Sequence, residues 1–99
     1  MKPKHKHTPN PPRFFNLLRT RRKQLGLTQH DVAVLMGLAS SAHISEYEHG
    51  GKSPSFLRLI DVSIILHEPR LDALFPDLYD HRRQQIIARR MSLQSNIDG

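Results

Sequence analysis

Two groups of residues in this chain have types that could do chemistry, and they point to different kinds of it. His30 and Asp31 stand side by side, as an acid–base pair would. Adjacent residues on a helix point in different directions, however, and no nucleophile or oxyanion-stabilising device accompanies them. No enzyme activity is expected. The second group is Thr28-Gln29, Gly37 and the run Ile44-Ser45-Glu46-Tyr47-Glu48-His49-Gly50. It reads as two short helices joined by one glycine turn and closed by another. That layout presents the second helix to the major groove of DNA, so the expected chemistry is recognition by hydrogen bonding and charge.

The spacing suits that task. Ala33 is small and lets the two helices approach, and Gly37 allows the sharp turn between them. Ile44 anchors the second helix to a core, which leaves Ser41, Ala42, Ser45 and Glu46 on its exposed side by helical geometry. Gln29 sits in the first turn of the preceding helix. There its amide, with free backbone N–H groups and the positive helix end, can hold a phosphate. Thr28 is a good N-cap, and Asp31 three positions on can reach back to complete a capping box.

Other elements must position this pair. Phe14, Leu17, Leu18, Arg22 and Leu25 recur at helical spacing and predict a first helix over 13–25, ended by Gly26. The second helix is expected over 29–36, with Val32, Ala33 and Met36 on one face and Leu38 plugging the core from the turn. Ser40 or Ser41 caps the third helix, over about 41–48, with Ile44 and Tyr47 inward. Ser55 caps a fourth over 56–66, with Phe56, Leu59, Ile60, Ser63 and Leu66 as its buried stripe. Pro69 breaks it. A short fifth helix over 70–75 turns Leu71, Leu74 and Phe75 inward, and Pro76-Asp77 resets the chain. A last helical stretch over 78–93 carries a thinner apolar face that includes Ile86, Ile87 and Met91.

Composition narrows the setting. The chain has 99 residues, no cysteine and a net charge of +6. One domain is expected, near the small end for a self-sufficient core. Disulfides and cysteine-based zinc sites are excluded. No apolar run approaches a membrane span, and the N-terminus lacks the apolar centre of a signal peptide. No acid precedes Asp31, whereas Lys2, Lys4, Lys6, Arg13, Arg19, Arg21, Arg22 and Lys23 are basic. Arg82, Arg83, Arg89 and Arg90 make the end basic again. Such asymmetry favours a polyanionic partner, although solvated helix faces give similar runs. Residues 1–12 carry prolines at 3, 9, 11 and 12 and read as a disordered basic arm. Lys-His-Lys-His within it offers no third metal ligand, so no metal is expected at His5 and His7.

Taken together, Arg22, Gly26-Leu27-Thr28-Gln29, Val32-Ala33, Gly37, Ile44-Ser45, Glu48, Gly50, Pro54-Ser55-Phe56 and Leu74-Phe75 resemble the phage repressor and Cro-type helix-turn-helix family, also called the xenobiotic-response-element (XRE) family. The resemblance spans about residues 14–75. It implies an all-α, five-helix lambda-repressor-like domain over 13–76, preceded by the arm of 1–12 and followed by a helical basic extension over 77–99 with a frayed end. By the same resemblance Arg22 and Glu48 form a structural ion pair linking helix one to the end of helix three. Gln29 grips a phosphate and Lys52 lies in a loop that meets the DNA backbone, while Ser41, Ala42, Ser45 and Glu46 face bases. Thr28, Ser40 and His43 complete the expected phosphate-side set.

The chain departs from the family pattern in three places. The segment from Gly37 to Ile44 is one residue longer than the commonest spacing, which leaves the start of helix three open among Ser40, Ser41 and Ala42. The base-facing set lacks Arg, Lys, Asn and Gln. Val34 and Leu35 are apolar where the family is often polar, as a dimer contact or as ordinary exposed residues. The resemblance implies a cytoplasmic, bacterial or phage-encoded regulator with no cofactor, a repressor that binds double-stranded DNA as a homodimer on a palindromic site. The alternative is an antitoxin-type protein-interaction module whose DNA binding is secondary.

Overall fold

Residues 13–98 are described by the computed structural model, and every element among them is helical. Six helices follow one another: α1 (Leu18–Gln24), α2 (Gln29–Leu35), α3 (Ala42–Glu48), α4 (Phe56–Ile65), α5 (Leu71–Leu74) and α6 (Pro76–Asp98). The first three have seven residues each, too short to persist alone in water, so packing and caps must hold them.

Local signals set most of the ends. Thr28 and Asp31 form the expected capping box at the start of α2. Ser55 accepts the N–H of Arg58 at the start of α4. Gly26, Gly37 and Gly50 follow α1, α2 and α3 with positive φ of 72°, 73° and 74°. This left-handed conformation lets the chain turn away while its N–H groups return to the last helical carbonyls. His67 takes the same conformation after α4, with φ 56°.

The core comprises Leu18, Val32, Ala33, Ile44, Tyr47, Val62, Leu66 and Leu74, drawn from every helix but α6. Leu38 packs against it from the turn, as expected, together with Leu27, Met36, Ile65 and Phe75. Ala33 is 1% exposed, and α2 and α3 pack directly on each other.

Expectations for α1, α4 and α5 are revised, and the open choice of cap for α3 is settled. The first helix begins at Leu18, and residues 13–17 are not helical. Asn16 explains this: its side-chain oxygen accepts the N–H of Leu18 at 3.1 Å, while its side-chain nitrogen donates to the carbonyl of Tyr47 at 2.9 Å. The N–H of Leu17 goes to Leu74 rather than into a helix. At α3, Ser41 holds the N-cap position without a capping bond, and Ser40 accepts the N–H of Ala42 instead. On α4 the buried stripe is rotated. Leu66 is buried as expected, but Val62 points inward with it while Phe56 and Ile60 are exposed. Periodicity cannot mark the inner face of a helix that is apolar on nearly every side. Leu71, expected inward on α5, is also exposed.

The last helix starts earlier and runs further than expected. Pro76 lies in its first turn, where a missing N–H costs nothing. The helix continues to Asp98 with Ile86, Ile87 and Met91 exposed. The arm of residues 1–12 lies outside the described residues.

A pair of glycine substitutions separates backbone conformation from crowding. An added Cβ at Gly37 would meet nothing within 4 Å, whereas at Gly50 it would lie 3.1 Å from the carbonyl oxygen of Phe14. Gly37→Ala is expected to cost about 1 kcal/mol from its φ alone. Gly50→Ala is expected to cost about 2 kcal/mol or more, because crowding adds to the same backbone strain. Urea denaturation of both variants checks the order; equal losses would show that residues 13–17 yield freely.

Candidate nucleic-acid interface

The interface is built around Glu48, the last residue of α3. Its side chain is 3% exposed, and that of Arg22 is 8% exposed. Arg22 Nε donates to Oε2 at 2.6 Å and Nη2 donates to Oε1 at 3.1 Å, a two-pronged grip from α1. The remaining prong, Nη1, donates to the carbonyl of Leu27 at 2.8 Å. Gln29 Nε2 donates to Glu48 Oε1 at 3.0 Å. One carboxylate therefore fixes α1, the first turn of α2 and the end of α3 together. A carboxylate at a helix C-terminus opposes the helix dipole, and the guanidinium offsets that. The hydrogen bonds to Glu48 in turn push the Arg22 pKa up from its already high ordinary value, against the effect of burial.

The capping box of α2 lies beside this cluster. Thr28 Oγ1 accepts the N–H of Asp31 at 3.0 Å, and Asp31 Oδ2 accepts the N–H of Thr28 at 2.9 Å. The bond from the Thr28 backbone, followed by that from its side chain, holds the Asp31 carboxyl below the usual carboxylate range. Asp31 is thus engaged in capping, and His30 beside it is exposed.

Helix α3 turns Ile44 and Tyr47 inward. The Tyr47 hydroxyl accepts from Arg58 Nη1 at 3.1 Å, which ties α3 to α4. Ala42, Glu46 and His49 are exposed, and Ser41 and Ser45 are half-buried. Ser41, Ala42, Ser45 and Glu46 therefore keep some open surface along the outward side. His49 folds back so that Nδ1 donates to the carbonyl of Ser45 at 2.7 Å, which places its proton on Nδ1. Glu46 lies 3.3 Å from Lys52 Nζ, so the acid on the outward side has a cation next to it. His43 stands apart from this row. It is half-buried with its ring stacked on Tyr47 at 6.3 Å, and its Nδ1 is buried without a partner among the described residues.

Three positioning residues escaped the sequence reading. Asn16 was signalled weakly, as a lone amide just ahead of an apolar helical run. Arg58 gave no signal for its bond to Tyr47. Arg21 gave none for its bonds to the carbonyls of Leu66 and His67, at 2.9 and 3.2 Å, which satisfy the end of α4. No group of three or more potential metal ligands occurs among the described residues.

A family model described as helix-turn-helix matches residues 18–70, more than half of the chain. The chain belongs to the XRE-type helix-turn-helix family of Cro and phage repressors. No curated protein and no solved structure gave a match. As an XRE-type domain it is a DNA-binding fold, all-α as the resemblance implied. The match takes in α1 to α4 and stops short of α5 and α6.

Two outcomes follow for the ionised groups. Arg22→Met leaves the Glu48 carboxylate buried without its cation and is expected to cost about 3–5 kcal/mol. Adding Glu48→Leu should restore much of that loss; a double variant as unstable as the single one would mean that the pair contributes more than mutual neutralisation. The Asp31 contribution follows from its lowered folded pKa. It is complete above the unfolded carboxylate pKa and fades as pH falls through the folded one. The melting temperature difference between wild type and Asp31→Asn should therefore be largest near neutral pH and vanish in strong acid. A gap independent of pH would contradict this.

Proposed function

We propose that this chain is a sequence-specific double-stranded DNA-binding transcriptional regulator, acting as a repressor. Residues 13–76 form the binding unit, the basic arm of 1–12 adds attraction to DNA of any sequence, and 77–99 extend beyond the unit. One observation carries the reading. Glu48 binds Arg22 and Gln29 at once, so the start of α2 and the outward side of α3 are held as one rigid surface.

On that surface Ser41, Ala42, Ser45 and Glu46 face base edges from within the major groove. Thr28, Gln29, Ser40 and Lys52 face phosphates on either side, whereas His43, half-buried against Tyr47, does not belong to this set. Only one bond of the Gln29 amide is taken by Glu48, which leaves a second N–H for a phosphate oxygen. The contact between Glu46 and Lys52 gives the acidic residue a role. When Lys52 moves to a phosphate, the Glu46 carboxylate is freed to accept from a cytosine amino group. The protein acts as a homodimer on a palindromic site, in the cytoplasm of a bacterium or on behalf of a phage. No helix among the described residues is long and apolar enough to cross a membrane.

The antitoxin-type reading, in which DNA binding is secondary, is favoured by one feature: the base-facing row lacks Arg, Lys, Asn and Gln. Salt dependence separates the two. For a regulator bound through phosphates, affinity for a selected duplex should fall about a thousandfold between about 50 and 200 mM salt. A flat response would favour the interaction module. Gln29→Ala should weaken binding about tenfold on all sequences alike, as loss of a charge-assisted bond would. A changed sequence preference instead would contradict the phosphate role.

A further inference from the structure

Helix α4 is apolar on nearly every side, yet the fold covers only one of them. Val62 and Leu66 enter the core and Ile65 packs against it. On the other side Phe56, Leu57, Ile60 and Ile64 are 74%, 72%, 39% and 67% exposed. These four positions fall within an arc of about 100° on the helix, so they form one continuous stripe along it. A helix that is apolar all round is ordinarily buried all round, and a contiguous exposed apolar patch marks an interaction surface. We infer that this stripe is the surface on which a second copy of the chain docks, stripe against stripe about a two-fold axis. The inference deepens the homodimer reading above by giving the dimer a surface.

Charge selects a second copy as the occupant. A chain of net charge +6 is repelled on the whole by a second copy of itself. The only charged residues of α4 are Arg58 and Asp61. Arg58 is turned to the Tyr47 hydroxyl and Asp61 is half-buried. Two stripes can therefore meet with no like charges opposed, and the contact is self-complementary, as a two-fold interface must be. DNA offers an apolar stripe nothing to bond. The area is also sufficient. At these exposures the four side chains offer on the order of 500 Å² per copy, or about 1,000 Å² for two, which reaches the lower limit for a specific interface. The long α6 does not cover the stripe, since it packs on α5.

Sedimentation equilibrium of the full chain tests this. Wild type should be a dimer at about 100 μM, and Leu57→Glu with Ile64→Glu should raise the dimer dissociation constant at least about fiftyfold. Both substituted side chains point away from the core, so the helical circular dichroism spectrum should persist. The chain has no cysteine, so Ile60→Cys supplies a single thiol near the axis. Mild oxidation should link two copies through it, while Ser92→Cys on α6 should not. A monomeric wild type, or a dimer indifferent to the two glutamates, would overturn the inference. Binding of duplexes with one and two half-sites keeps this separate from the DNA reading. A dimer lost in the variant by a chain that binds neither duplex would sustain the inference and sink the DNA reading. A wild type that binds a half-site yet stays monomeric would do the reverse.

Discussion

Burying a carboxylate at the end of a seven-residue helix is a costly arrangement, and this fold is organised around making it tolerable. Glu48 has lost most of its water. In exchange it holds two bonds from the Arg22 guanidinium and one from the Gln29 amide. Arg22 belongs to α1, Gln29 to α2 and Glu48 to α3, so a single group joins three helices that share few other polar links. The pair need not add net stability over apolar residues of the same shape. What it adds is direction. Apolar packing of Ile44 and Tyr47 tolerates small rotations of α3, whereas a two-pronged ion pair does not.

Around that centre the smaller polar contacts make up for short helices. Asn16 starts α1 and grips the Tyr47 carbonyl, Thr28 and Asp31 cap α2, and Arg21 completes the end of α4. None of these bonds is worth much alone. Each, however, supplies a partner for a helix-end group that a seven-residue helix has in high proportion. The ends of α1, α2 and α4 are fixed through them.

How much was legible in the sequence depended on whether a feature is local. Gly26, Gly37 and Gly50 declare turns because few other residues take a positive φ cheaply. Thr28 and Asp31 declare a cap because the two partners lie three residues apart. Ile44 and Tyr47 declare an inner face because α3 is polar elsewhere. Arg22 and Glu48 are 26 residues apart, and it was family likeness, not spacing, that paired them. Where a signal needs a distant partner with no such likeness, the sequence is silent. Arg58 with Tyr47 and Arg21 with Leu66 are examples. The α4 stripe was only partly legible: Leu66 was expected inside and is buried, but Phe56 and Ile60 are as apolar as Val62, so nothing in the residue types distinguished inside from outside there. The start of α1 failed because Phe14 and Leu17 continue a helical period into a segment that Asn16 draws away.

The three-way hold on Glu48 has a consequence for how a binding site is judged. Loosening α3 by itself would break the bonds to Arg22 and Gln29 and strand a charge, which adds to the apolar packing lost. The end of α3 is therefore coupled to α1 and α2, and adjustment at this face is left to exposed side chains such as Glu46 and Lys52.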